Sequence, residues 1–285
     1  MTQYEIAGLK LSVDGAGDYL KERLKEYMLP LSKEGEHCCD YRVKIHKLES
    51  LPEMMGNEPV IKGGMWKIAT NRERTIYRGL LGMEEEVGVI LQLQDQGAEI
   101  QILSPDKNPR DPRDYVSLGH AMEAFCLQEK RMVLHSSCII VNEKAILFSA
   151  PSGTGKSTHT ELWERYVPGT VCINDDTPAL RLDREDAVYA CGTPWSGSTT
   201  RNQNKQAPLA AIVLLRRGEE NRITPIGGVD AYARILGQTR KMPFKESIEA
   251  ASSLCAELME RVPVYDLACD ISEHAVATVR DALGI

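Results

Sequence analysis

Three local signals run together in "AILFSAPSGTGKSTHTELWERY", residues 145–166. An apolar run of strand character enters a turn with glycines at 153 and 155, and that turn opens a stretch with helical spacing. A strand ending in a glycine-rich turn against a helix N-terminus makes an anion site. The N–H groups of the turn point inward, and the helix end adds partial positive charge. The arrangement calls for a buried strand with helices on its sheet, so it predicts an α/β core. The pattern G-x-x-x-x-G-K-[ST] fits at Gly155, Lys156 and Ser157, but Ala150 stands where its first glycine belongs. A methyl group there costs little if φ is negative. The candidate phosphate cradle is therefore Ser152, Gly153, Thr154, Gly155, Lys156, Ser157 and Thr158. In such a cradle the lysine reaches the β- and γ-phosphates and the Ser157 hydroxyl holds magnesium.

A second motif follows in "VCINDD", residues 171–176. A buried strand with carboxylates at its C-terminal end can set them beside a phosphate-bound metal. Two adjacent aspartates allow one to contact the metal and the other to take a proton from an attacking hydroxyl. The competing reading of "NDDTP" is a polar turn closed by Asx hydrogen bonds. His135, in "LHSSC", opens the hairpin that delivers the loop. By position it is either a satisfied core residue or a ligand.

The 285 residues carry 34 basic and 41 acidic side chains, a formal charge of −7. That balance argues against nonspecific nucleic-acid binding. No apolar run approaches the roughly 20 residues that span a bilayer, and no secretion signal opens the chain. Eight cysteines, at 38, 39, 126, 138, 172, 191, 255 and 269, form no C-x-x-C pair. They predict buried free thiols in a reducing, cytoplasmic setting.

Residues 1–105 read as a β-rich region. "YEIAGLKLSV" and "YRVKIHKLES" alternate apolar and polar residues, and "VGVILQLQ" and "AEIQILS" flank a glycine-containing turn. The proline-rich segment "PDKNPRDPRD", residues 105–114, is the candidate domain boundary, and 115–285 the nucleotide-binding core. Within the core the pattern predicts a helix at "YVSLGHAMEAFCLQEK" and a hairpin of "SCIIV" and "AILFSA". Strands follow at "TVCIN", "PALRLD", "AVYACG" and "LAAIVLLRR". Two C-terminal helices then flank the strand "PVYDLACD".

The combination "LHSSCIIVNEKAILFSAPSGTGKST" followed by "INDD" resembles the nucleotide-binding core of HPr kinase/phosphorylase and phosphoenolpyruvate carboxykinase. The resemblance covers roughly residues 130–185. It implies an ATP- and Mg²⁺-dependent kinase of HPr kinase-like type, with a phosphoenolpyruvate carboxykinase/HPr kinase-like P-loop fold behind the N-terminal β-rich region. The acceptor would be a hydroxyl, on a serine of a peptide or protein or on a small metabolite. Carried over, His135 lies near the reacting phosphate, and Asp175 and Asp176 supply base and metal contact. Asp175 is the favoured base and Asp176, with Ser157, the favoured metal contact. The HPr kinases are oligomers, so the resemblance allows a homo-oligomer. Two other readings are a nucleotide-binding regulatory module without transfer and a reduced carboxykinase-like enzyme. No region supplies the carboxykinases' extra basic residues, and 191–208, "CGTPWSGSTTRNQNKQAP", does not match the HPr-binding pattern. In that long polar loop Arg201 is a candidate to meet the transferring phosphoryl group or an anionic acceptor. Trp195 is a candidate to pack over a ligand, and Gly192 and Gly197 are candidate hinges.

Overall fold

The structure, a computed structural model, describes residues 1–30, 39–49, 60–63, 66–70, 75–80, 89–94, 99–105, 112–183, 185, 187–242 and 245–285. The chain divides into two compact units, Met1–Phe125 and Cys126–Ile285.

The described residues of the first unit build an eight-stranded sheet. Its strands are β1 (Thr2–Ile6), β2 (Leu9–Asp14), β3 (Tyr41–Leu48), β4 (Val60–Gly63), β5 (Trp66–Thr70), β6 (Thr75–Leu80), β7 (Val89–Gln94) and β8 (Glu99–Pro105). Helix α1 (Asp18–Leu24) lies between β2 and β3 in the chain, and α2 (Arg113–Gln128) follows β8. The strand order is β1-β2-β3-β8-β7-β6-β5-β4. The alternation expected of "YRVKIHKLES" is present: Tyr41, Val43 and Ile45 are buried, while Arg42, Lys44 and His46 face solvent. Strands β7 and β8 pair antiparallel down to Gln94 and Glu99, and the turn expected between them lies outside the described residues. Helix α2 buries Leu118, Ala121, Met122 and Phe125, one face at helical spacing. Phe125 stacks on Tyr41 with ring centroids 4.1 Å apart, which joins most of α2 to this unit. The division between units falls within α2, and residues 106–111 of the proline-rich segment lie outside the described residues.

The second unit is a mixed sheet with helices on both faces. Its strands are β9 (Arg131–Leu134), β10 (Ser136–Val141), β11 (Lys144–Ser149), β12 (Val171–Asn174), β13 (Ala179–Leu182), β14 (Val188–Cys191), β15 (Gln206–Arg217), β16 (Arg222–Ile226), β17 (Thr239–Arg240) and β18 (Val264–Cys269). Its helices are α3 (Lys156–Tyr166), α4 (Gly228–Gln238), α5 (Lys245–Arg261) and α6 (Glu273–Leu283). Strands β11, β15 and β18 run parallel; β10 pairs antiparallel with β11 on one side and with β12 on the other, so β12 runs in the direction of β11. Twelve-residue β15 pairs with β14 at its start and with β18 at its end. Buried parallel strands read as continuous apolar runs, and "AAIVLL" does so.

The pleat divides the core in two. Ile146 and Phe148 of β11 and Val213 and Leu215 of β15 join Leu162 and Trp163 of α3 and Val276 and Val279 of α6. Ala145, Leu147, Ile212 and Leu214 face the other way, with Ala231 and Ile235 of α4 and Leu254 and Leu258 of α5. Helix α4 was not foreseen in the sequence. It opens on two glycines, and its apolar stripe is short, with Ala231 and Ile235 buried and Tyr232 and Leu236 partly so.

Of the described cysteines, Cys126, Cys138, Cys172, Cys191 and Cys255 are buried and Cys39 and Cys269 half-buried, all as free thiols. Burial pushes the Cys172 thiol up to about 12, so it sits in the core as an inert apolar group. Cys38 lies outside the described residues.

Strands β10 and β11 are joined by the two-residue turn Asn142-Glu143, with φ of 47° and 62°. Two positive φ values define the type I′ hairpin turn, which suits the twist of the strands but disfavours a side chain at its second position. Glu143→Gly is therefore expected to raise stability by roughly 0.5–1 kcal/mol and the melting temperature by about 2 °C. Thermal denaturation followed by circular dichroism measures this, and a lower melting temperature would contradict the turn assignment.

Candidate functional site

Strand β11 ends at Ser149, and α3 begins at Lys156. Between them Gly153 (φ 76°) and Gly155 (φ 119°) take backbone conformations that L side chains rarely adopt. No atom would meet an added Cβ at either position within 4 Å. The glycines are thus required by backbone conformation, and the space beside them is open. Ala150 is buried and is not among the positive-φ residues, so the condition that makes its methyl tolerable is met. Thr154 closes the turn with its hydroxyl on the Pro151 carbonyl at 2.8 Å. From β15, the Arg217 guanidinium donates to the Gly153 carbonyl at 2.6 Å. That contact holds a loop carbonyl on the side of Arg217.

Lys156 turns back under the loop. Its Nζ donates to the Ala150 carbonyl at 2.9 Å and to His135 Nε2 at 3.1 Å. Burial pulls its ammonium below the ordinary lysine range, Asp176 opposes this, and Arg240 adds to it. His135 sits between β9 and β10, and its Nδ1 faces Gln238 Oε1 at 2.9 Å. An amide oxygen only accepts, so Nδ1 carries the proton and Nε2 keeps its lone pair for Lys156. The His135 backbone N–H also donates to the Gln238 carbonyl at 2.9 Å. Gln238 ends α4, and the short strand β17 behind it pairs with β9, which delivers Arg240 to the same region.

The two aspartates follow β12. Asn174 Oδ1 accepts the N–H groups of Asp176 at 2.9 Å and Thr177 at 2.7 Å, an Asx turn. The two readings of "NDDTP" are therefore compatible: the asparagine makes the turn, and the turn presents both carboxylates. Asp175 is 4% exposed, and its Oδ1 accepts from the Ser137 hydroxyl at 2.9 Å. Its Oδ2 is buried without a hydrogen-bond partner. The Asp176 side chain is 29% exposed, with Oδ1 3.5 Å from His135 Nε2. Lys156, His135 and Asp176 thus converge beside the loop, with Asp175 directly behind.

The 191–208 loop differs from what its composition suggested. Asn174 Nδ2 donates to the Thr193 carbonyl at 2.9 Å and the Trp195 carbonyl at 3.0 Å. The Thr177 hydroxyl donates to the Trp195 carbonyl at 2.7 Å. Trp195 thus contributes its backbone to holding the aspartate turn. Gly192 is no hinge. Its N–H donates to the Lys205 carbonyl at 2.8 Å, and an added Cβ would overlap the Gln203 carbonyl oxygen and lie 2.7 Å from that of Ile173. Gly197 (φ 63°) lies against Asp176, whose Cβ an added methyl would meet at 3.1 Å. Arg201 is engaged elsewhere than expected. Its guanidinium pairs with Glu164 and lies 3.5 Å from Glu161, both on α3. Two carboxylates three residues apart on one helix face draw it there.

Gln238 and Arg240 carried no local sequence signal. Arg240 reaches the site through a strand of two residues, and His135 is 103 positions from Gln238.

No protein-family model matches this chain, and no curated protein matches it. Among solved structures the chain is similar to one described as the Hpr(Ser) kinase/phosphatase from Coxiella burnetii. The identity is 13%, over 53% of this chain and 95% of that one, with a TM-score of 0.30. Among the described residues no helix is long and apolar enough to cross a membrane.

Proposed function

We propose that the Cys126–Ile285 unit is an ATP-dependent phosphotransferase that moves the γ-phosphoryl group to a hydroxyl. The acceptor is a serine of a peptide or protein, or a small metabolite. One observation carries the reading. Beside an open strand–glycine turn–helix junction, a buried lysine meets a histidine, and that histidine faces a carboxylate, the three coming from separate stretches of chain. Phosphoryl transfer asks the protein mainly for positioning and for compensation of charge, and these groups supply both.

In this reading the loop N–H groups and Lys156 hold the phosphates, Lys156 exchanging the Ala150 carbonyl and His135 for phosphate oxygens. His135 stands where charge develops on the transferring group. Magnesium, bound with the nucleotide, would offset part of the negative charge of the phosphates. The donor set suits it: Asp175 keeps one carboxylate oxygen buried and unpartnered, and Ser157 stands half-buried in the first turn of α3. Magnesium is usually held by one or two carboxylates together with phosphates and waters. The burial pattern favours Asp175 as its contact and the more exposed Asp176 as the base, the reverse of the assignment that the resemblance suggested.

The paired asparagine variants test the division of roles. Asp176→Asn is expected to bind Mg-ATP within a few-fold of wild type and to lose about 10³-fold in ADP release with serine peptides or polyols as acceptors. Asp175→Asn, whose amide still accepts from Ser137, is expected to raise the Mg²⁺ concentration needed for half-maximal binding. Near-normal ADP release from both variants would reduce the pair to a turn.

A further inference from the structure

A cavity of ≈ 360 Å³ opens beside the loop, between the first turns of α3 and the ends of β15 and β18. Gly155 and Thr158 line it on the loop side, and Leu162, Leu215 and Cys269 give it apolar walls. Its size lies at the lower end of the range for small-ligand pockets. His159 is also a lining residue, and it is 3% exposed. Its Nε2 faces Trp163 Nε1 at 3.2 Å. An indole nitrogen only donates, so His159 Nε2 must accept and the ring proton lies on Nδ1. That Nδ1 is buried and has no hydrogen-bond partner. The ring is held edge-on to Phe148 with centroids 4.6 Å apart, so it is not free to turn away. A buried donor without a partner is costly, and a ligand acceptor in the adjoining cavity would relieve the cost.

We propose that this cavity receives the purine base of the nucleotide, with His159 Nδ1–H donating to a ring nitrogen of the base. The inference rests on the reading of residues 150–158 as the triphosphate cradle, which shares Gly155 and Thr158 with the cavity. Three properties choose the ligand. The apolar walls suit a flat, uncharged ring. The fixed donor demands an acceptor, and purine ring nitrogens provide one. The cavity starts where the phosphates end, so one molecule can fill both.

The experiment compares Mg-tripolyphosphate, Mg-ATP, Mg-CTP and adenosine by titration calorimetry on the full chain. Wild type is expected to bind Mg-ATP at least about 30-fold tighter than Mg-tripolyphosphate and at least about tenfold tighter than Mg-CTP. His159→Gln keeps an acceptor for Trp163 and leaves no donor at the Nδ1 position. It is expected to lose about tenfold for Mg-ATP and nothing for Mg-tripolyphosphate, whereas His159→Asn, which keeps a donor near Nδ1, loses less. Ile271 lines the same cavity and is 77% exposed, so Ile271→Trp can obstruct the cavity without threatening the fold. It is expected to bring Mg-ATP to the tripolyphosphate level.

Equal binding of Mg-ATP and Mg-tripolyphosphate by wild type overturns the base site and leaves the cradle standing. Equal binding of Mg-ATP and Mg-CTP overturns the purine assignment, and variants that bind Mg-ATP as wild type does overturn the placement. If neither Mg-ATP nor Mg-tripolyphosphate binds, the cradle reading fails. Adenosine then decides alone: binding lost in His159→Gln supports the cavity as a base site, and no binding overturns it.

Discussion

Lys156→Met is expected to abolish productive use of ATP and leave the fold intact. The methionine keeps the buried stem and removes the charge. Losing one charge-assisted contact to phosphate should weaken Mg-ATP binding by about 10- to 100-fold, since such contacts are worth about 1.5–3 kcal/mol. Losing the same charge from the transition state should lower turnover by about 10³-fold. Stability should behave differently. Burial already disfavours the Lys156 ammonium, which finds no carboxylate within hydrogen-bonding distance and settles for the Ala150 carbonyl and His135. A group whose pKa is lowered on folding binds its proton more tightly in the unfolded chain, so at neutral pH it subtracts from stability. Removing it should leave the melting temperature unchanged or raise it, a sign of a residue kept for function. Calorimetry with Mg-ATP beside a circular dichroism melt tests both halves. Wild-type affinity in a folded variant would remove the cradle assignment. A sharply lower melting temperature would make Lys156 a structural residue.

Local features of the chain were readable because each is written within a few residues. The strand, glycine turn and helix at 145–166, the hairpin before them and the alternation along β3 depend on nearest neighbours in sequence. The candidate cluster of His135, Lys156 and Asp176 was legible for the same reason: each residue stands at the end or start of a strong local element. What could not be read depends on long-range closure. Asn174 looks like one more polar turn residue until the Thr193 and Trp195 carbonyls, 19 and 21 positions away, are seen on its amide. Gln238 supports His135 from the end of α4, and β17 just behind it is too short to carry a pattern. Arg201 was assigned to an anion because arginine suits phosphate. Glu161 and Glu164 satisfy the same preference, and only the fold shows that they stand within its reach. The close backbone approach at Gly192 was not legible either, for a glycine in a polar loop looks the same whether it bends or is squeezed.

Gly192→Ala separates those two meanings, and its expected effect on the fold is large. Gly192 lies just beyond the end of β14, where the chain returning at Gln203 and the end of β12 at Ile173 close on it from both sides. The Gln203 N–H donates to the Ile173 carbonyl at 3.0 Å, and the Gly192 N–H donates to the Lys205 carbonyl at 2.8 Å. An added methyl therefore meets carbonyl oxygens that are held in place on both sides, and no flexible side chain can yield. Overpacking of a well-packed site typically costs 1–3 kcal/mol, and a clash with fixed backbone belongs at or above the top of that range. For a unit of this size about 3 kcal/mol corresponds to a fall of roughly 10 °C in melting temperature. The damage should also be selective. Displacing residue 192 moves the Thr193 and Trp195 carbonyls that hold Asn174, and with them the turn that presents Asp175 and Asp176. The β11–α3 loop shares none of these bonds. Below its melting temperature the variant should bind Mg-tripolyphosphate nearly as wild type does and lose most of its ADP release. If Gly192 were a hinge, alanine would leave the melting temperature within a degree or two and slow the reaction by stiffening the loop. A melt and a titration on one sample tell these outcomes apart, because a hinge acts on rate alone and a close backbone approach must first act on stability.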